Sequence, residues 1–163
     1  MILVTVGTSR FPFDRLLRAV EALEPAEPLV VQHGPSSIQP ANAVCSPFLE
    51  MDELTRLIRE ARIVVTHAGV GSILLSLANG KRPIVVPRRR LFDETVDDHQ
   101  VESARRFAKA GLVTLVEEPQ RLAAAIAGPR QEAEPAIGPN GGLVGELREY
   151  IAVVMGRPEG APA

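Results

Sequence analysis

Residues 63–80 read IVVTHAGVGSILLSLANG, and the order of residue types in this stretch decides the fold class. Ile63–Thr66 is a short β-branched run without polar alternation, the pattern of a strand buried on both faces. His67-Ala68-Gly69-Val70-Gly71-Ser72 is a glycine-rich turn, and Ile73–Asn79 is an apolar helical run closed by Gly80. A buried strand feeding a glycine turn and then a helix is half of a β-α-β unit, and such units assemble parallel sheets.

The same alternation continues in both directions. Upstream, Ile2–Val6 reads as a first strand closed by Gly7. Phe13, Leu16, Leu17, Val20 and Leu23 then form one face of an amphipathic helix that Pro25 stops. Leu29–Gln32 is a second strand ended by Gly34-Pro35, Ala43–Cys45 a weaker third, and Met51–Arg59 a helix. Downstream, Ile84–Val86 is a strand bracketed by Pro83 and Pro87, Asp98–Ala110 a helix capped by Gly111, and Leu112–Val116 a last strand. Pro119 suits the first turn of a helix running to about Ala127. The prediction is α/β: a Rossmann-like doubly wound parallel sheet over residues 1–127. A linker or long loop over 128–142, a helix over 143–155 and a flexible tail over 156–163 follow. The apolar stripe Leu143, Leu147, Ile151, Val154 and Met155 fits either packing on the chain's own sheet or crossing to a partner.

Composition narrows the function. The chain has 163 residues, 45% of them apolar and 23% charged, a globular balance for one domain. Its formal charge of −2 argues against a sequence-blind nucleic-acid binder, which needs a basic excess. A single cysteine, Cys45, excludes an internal disulfide and reads as a small packed side chain. No apolar run reaches the ~20 residues of a membrane span. Met1–Val6 lacks a basic region and a cleavage site, so it reads as a strand, not a signal peptide, and a cytoplasmic location is expected.

In an open parallel sheet, ligands bind beyond the carboxyl ends of the strands. Three clusters fall there. In the first, Gly69 and Gly71 let backbone approach a phosphate, the helix start aims N–H groups at an anion, and Ser72 adds a hydroxyl. The same glycines also suit a plain tight turn. His67 reads as a hydrogen-bonded structural histidine or as a catalyst. The third glycine of the dinucleotide fingerprint is missing, which argues against NAD. The second cluster is Arg88-Arg89-Arg90, Asp93-Glu94 and Asp97-Asp98-His99-Gln100, suited to a hydroxyl-rich sugar or a second anion. Adjacent Asp97, Asp98 and His99 point in different directions on a helix, so no shared metal is expected. One aspartate would cap the helix while Gln100 faces a ligand. The arginine run is either a solvated face or a fork for a carboxylate. The third cluster, Gly7-Thr8-Ser9, is a turn or a ligand contact across a cleft.

Taken in order, Val4-Thr5-Val6-Gly7-Thr8, His67–Ser72, Gly80-Lys81-Arg82-Pro83-Ile84-Val85-Val86-Pro87, Asp97–Gln100 and Ala108-Lys109-Ala110-Gly111 resemble the family 28 glycosyltransferases of the GT-B fold. The resemblance runs from Met1 to about Ile126. It is strongest to the family's short, single-domain members, which serve dolichol-linked N-acetylglucosaminyl transfer and bacterial exopolysaccharide glucuronosyl transfer. It implies one GT-B half-domain that binds a UDP-sugar. Phe48, Leu49 and Met51 would lie in the uracil-recognising loop and Gly7 and Thr8 at the cleft. Gly69, Val70, Gly71 and Ser72 would hold the diphosphate, supplemented by an arginine such as Arg88. Gln100, with His99 beside it, would hydrogen-bond the donor sugar, His67 and Asp98 being further substrate-binding residues. Leu75 stands where larger members carry a ribose-binding glutamate.

The resemblance further implies a hexosyltransferase without metal or other cofactor. Its base would come from a membrane-attached, acceptor-binding partner subunit, and its acceptor would be a lipid-linked glycan at the inner face of a membrane. Should Arg88 and Arg89 fork a carboxylate, the donor would be UDP-glucuronate. The competing classes are a non-catalytic nucleotide-sugar-binding subunit, a GT-B epimerase and another phosphate-binding Rossmann module.

Overall fold

A computed structural model describes residues 1–128. Six strands form one sheet: β1 (Ile2–Thr5), β2 (Leu29–Gln32), β3 (Val44–Ser46), β4 (Ile63–His67), β5 (Ile84–Val86) and β6 (Thr114–Leu115). Every pairing is parallel, in the order β3-β2-β1-β4-β5-β6. The helices are α1 (Asp14–Glu21), α2 (Met51–Glu60), α3 (Val70–Ala78), α4 (His99–Lys109) and α5 (Leu122–Ala127). Apart from Gly128, the expected linker, the 143–155 helix and the 156–163 tail lie outside the described residues.

The sheet is covered on both sides, as a doubly wound fold requires. On one face Ile2, Val4, Val65 and Val86 pack with Phe13, Leu16, Leu17 and Val20 of the α1 segment and Leu122 of α5. The opposite pleat sends Leu3 and Val64 to Leu57 and Ile58 of α2, and Val85 to Leu77 of α3 and Phe107 of α4. This two-sided burial is why the strands read as unbroken apolar runs. At eight residues α1 is shorter than the ~12–15 an isolated helix needs. Its three fully buried side chains, each contributing about 2 kcal/mol, hold it in place.

Three local details differ from the expectation. Helix α3 begins at Val70 with Gly69 as its N-cap, so the glycine turn is already the first helical turn. Strand β6 keeps two residues of the expected five, because it pairs only with β5, a three-residue strand between prolines. The loop after β5 contains a 3₁₀ turn at Arg90–Phe92. The direction of strand order reverses between β1 and β4, which places a crevice where the β1 and β4 loops diverge.

Candidate functional site

That crevice is occupied by a cleft of about 620 Å³. The ends of β1 and β2 supply its floor through Thr5, Gly7, Thr8 and Gln32. The β4–α3 turn supplies His67, Gly69, Gly71 and Ser72, and α3 continues the wall with Leu74, Leu75 and Ala78. Phe48, Leu49, Met51 and Leu54 close the other side. Phe48 is 54% exposed and Met51 63%, an unusual placement for large apolar side chains that leaves both faces open to a flat ligand. Leu49 is buried and anchors this wall to the core. No Lys, Arg, Asp or Glu side chain is among the described residues that line the cleft.

Polar character comes instead from oriented neutral groups. The N-terminus of α3 has no side-chain cap, and its first N–H groups lack intrahelical partners. Gly69, Gly71 and Ser72 therefore bring free donors and the positive end of the helix dipole to the cleft wall. A Cβ on Gly71 would meet nothing within 4 Å, so the backbone there faces open space.

The imidazole of His67 fills the space beside two glycines. A Cβ on Gly7 would lie 2.4 Å from its Cε1, and one on Gly69 would lie 2.2 Å from its Nε2. Burial, followed by the positive charge of Arg88, pushes the His67 pKa down to about 4, against a weaker opposing contact with the Thr5 backbone. The ring is thus neutral at physiological pH, a donor or acceptor and not a cation. The ordinary value is 6.5, so below that pH the unfolded chain takes up a proton that the folded ring refuses. The contribution of His67 to stability is full above pH 6.5 and is lost as pH falls toward about 4. Urea unfolding between pH 7.5 and 4.5 should show this loss, on the order of 2–3 kcal/mol, and His67→Gln should remove it. An unchanged slope in the variant would place a charged imidazole in the fold.

Nine residues expected at the site converge on the cleft: Gly7, Thr8, Phe48, Leu49, Met51, His67, Gly69, Gly71 and Ser72. Five do not line it. Val70 joins the core at the α3–α4 face, leaving only its backbone near the ligand side. Arg88 corrects the idea of a carboxylate fork: it is 0% exposed, and its guanidinium donates to the carbonyls of Val6, Phe11, Pro12 and Glu94 at 2.8–3.2 Å. Arg89 is spent on Glu117 and Glu118. Asp98 accepts the N–H of Arg90, and exposed His99 pairs with Asp97 at 2.8 Å. That pairing holds the Asp97 carboxyl below its usual range and raises His99. Asp97 also accepts the His99 N–H, while Asp98, at the N-cap position of α4, makes no side-chain cap. Gln100 accepts the Arg88 N–H at 3.3 Å through Oε1, which fixes its amide at the end of β5.

Sequence reasoning missed Thr5 and Gln32 as cleft residues. A polar side chain ending an otherwise apolar strand was the available signal for each. Cys45 is half-buried, and burial pushes its thiol pKa up, which keeps it protonated and unreactive.

Comparison with known proteins now adds a family. The model of the glycosyltransferase family 28 C-terminal domain matches residues 1–136. The human UDP-N-acetylglucosamine transferase subunit ALG13 is 32% identical over 123 residues, covering 68% of this chain. The chain spans only 10% of that relative's length. Among solved structures, the calicheamicin glycosyltransferase CalG4 aligns with a TM-score of 0.59 at 18% identity, over 96% of this chain and 43% of its own. MurG of Acinetobacter baumannii gives 0.54 at 22%, over 78% and 41%. At such identities the likeness to these glycosyltransferases is one of fold. The family match over most of the length, together with the parallel Rossmann-like sheet, places this chain in the glycosyltransferase family 28 C-terminal domain family, with the fold of a GT-B half.

Proposed function

We propose that this chain is the donor-binding, catalytic subunit of a two-component glycosyltransferase that moves a hexosyl group from a UDP-sugar to a lipid-linked glycan. The observation that carries this reading is the uncapped start of α3, beside a neutral histidine, on the wall of a cleft at the switch point of the sheet. UDP-N-acetylglucosamine is the leading donor, on the strength of the human relative's name. A carboxylated donor loses its support with Arg88 and Arg89 engaged elsewhere.

In this reading the uracil rests against Phe48 and Met51, and the diphosphate lies at Gly69–Ser72. An acceptor hydroxyl attacks the anomeric carbon, the bond from that carbon to the diphosphate oxygen breaks, and UDP departs. Charge building on the departing phosphate meets the N–H groups of α3 and the Ser72 hydroxyl, donors already oriented before the reaction. Gln100 is held through its Oε1 by the Arg88 N–H, and in this reading its amide N–H groups serve the donor sugar beyond the cleft lining. The acceptor proton passes to a base on a membrane-attached partner, in a reaction at the cytoplasmic face. No helix among the described residues is long and apolar enough to cross a membrane.

Calorimetric titration with UDP, UDP-N-acetylglucosamine, UDP-glucuronate and UDP-glucose, with chelator present, tests the donor reading. Saturable binding that favours UDP-N-acetylglucosamine is expected. Absence of binding to all four, alone and with an acceptor-binding partner added, would remove the reading. Binding without turnover in the presence of any partner would reduce the chain to a nucleotide-sugar-binding subunit.

A further inference from the structure

The Gln32 carboxamide is 4% exposed and has every hydrogen-bonding site occupied. Its Oε1 accepts from the Thr5 hydroxyl at 2.6 Å and the Gly7 N–H at 3.1 Å. Its Nε2 donates to the Gly7 carbonyl at 3.0 Å and the Pro47 carbonyl at 3.1 Å. Two carbonyl partners require the amino group on that side, so the amide orientation is fixed by its surroundings. Gly7 is thereby held through both of its backbone polar groups, in a left-handed conformation with φ of 75°. The same side chain reaches the residue immediately before Phe48.

We infer that Gln32 is a positioning residue that holds the two walls of the cleft in register. One wall is Gly7 with the His67 imidazole against it, on the diphosphate side. The other is Pro47-Phe48, on the base side. No other side chain among the described residues bonds to both loops. The inference rests on the donor-binding reading and adds to it a determinant of how both ends of one nucleotide are gripped at once. Ligands that engage a single wall gain little from this register. A ligand that spans both gains the effective concentration of its second half, and that gain depends on the spacing being right.

The test uses Gln32→Leu and the milder Thr5→Val, which removes the hydroxyl that donates to Gln32 and accepts a longer bond, at 3.3 Å, from the Gly7 N–H. Thermal unfolding first sets a temperature at which each variant is folded. NMR shift titrations with uridine, with pyrophosphate and with UDP then follow. For Gln32→Leu, UDP should weaken roughly tenfold or more, while uridine and pyrophosphate each change less than about threefold. Thr5→Val should show the same pattern at smaller amplitude. Equal weakening of all three ligands, or unchanged UDP affinity, would overturn the positioning role. If the unsubstituted chain, with its acceptor-binding partner present, binds no UDP, the donor reading itself fails and this inference falls with it.

Discussion

Arg88→Ala is expected to destabilise the fold by about 3–5 kcal/mol, among the largest effects of any single substitution here. Four backbone carbonyls lose their donor at once, those of Val6 and Glu94 in buried bonds. A buried acceptor left unpaired costs about 1–3 kcal/mol, partly recovered where the loop relaxes. The ring of Phe13, its centroid 4.7 Å from the guanidinium carbon, also loses the nearer of its two cationic neighbours, Arg15 remaining at 5.5 Å. Burial lowers the Arg88 pKa to about 10, with nearby Glu94 acting to raise it, so the side chain remains charged at neutral pH. Arg88→Lys keeps the charge but not the fork, and an intermediate loss is expected. Urea unfolding monitored by circular dichroism measures both. A loss under about 1 kcal/mol for the alanine variant would mean that the guanidinium is not holding the β1–α1 loop.

The second large effect is at the glycines beside His67. Gly69→Ala places a methyl 2.2 Å from Nε2 although the backbone there is ordinary, so its cost is purely steric. Gly7→Ala adds the strain of a positive φ to a methyl only 2.4 Å from Cε1. Each should cost about 2–4 kcal/mol, or else expel the imidazole from the cleft and abolish UDP binding. The cause can be isolated with a double-mutant cycle. In a His67→Ala background the added methyl at position 69 has no ring to meet, and the Gly69→Ala penalty should largely vanish. A penalty that persists in that background would point to backbone strain instead. Gly71→Ala is the contrast: the site is open and helical, so stability should rise by about 0.5–1 kcal/mol. Gly71 nonetheless lines the cleft, and the added methyl should weaken UDP binding.

Most of the sheet was legible because its signal is local. Ile2–Thr5, Leu29–Gln32 and Ile63–His67 are apolar runs bounded by glycine or proline, and burial on both faces forbids any other pattern. The glycine-rich turn at the switch point was legible for the same reason. The arginine run was not. Three consecutive arginines read as a surface or an anion fork, whereas Arg88 is the largest of the fully buried side chains. Its acceptors come from residues 6, 11, 12 and 94, and nothing in the run itself announces carbonyls so distant in sequence. The β5–α4 loop failed similarly: its polar residues pair with one another and with backbone, so a density of hydrogen-bonding groups did not translate into cleft contacts. Gln32 was passed over because its partners lie on two separate loops.

The contact between Arg88 and Val6 joins positions 82 residues apart. Until the chain has been made as far as Arg88, the carbonyls of Val6, Phe11 and Pro12 lack their donor and the loop after the first strand cannot settle into its final shape. The ligand-facing edge is therefore assembled late, by closure of a long loop, even though Gly7 is made well before Arg88. Parallel pairings of this reach are slow to form. A nascent chain halted before the fifth strand would hold a partial sheet with its central crevice unfinished, exposing apolar edges to chaperones and proteases.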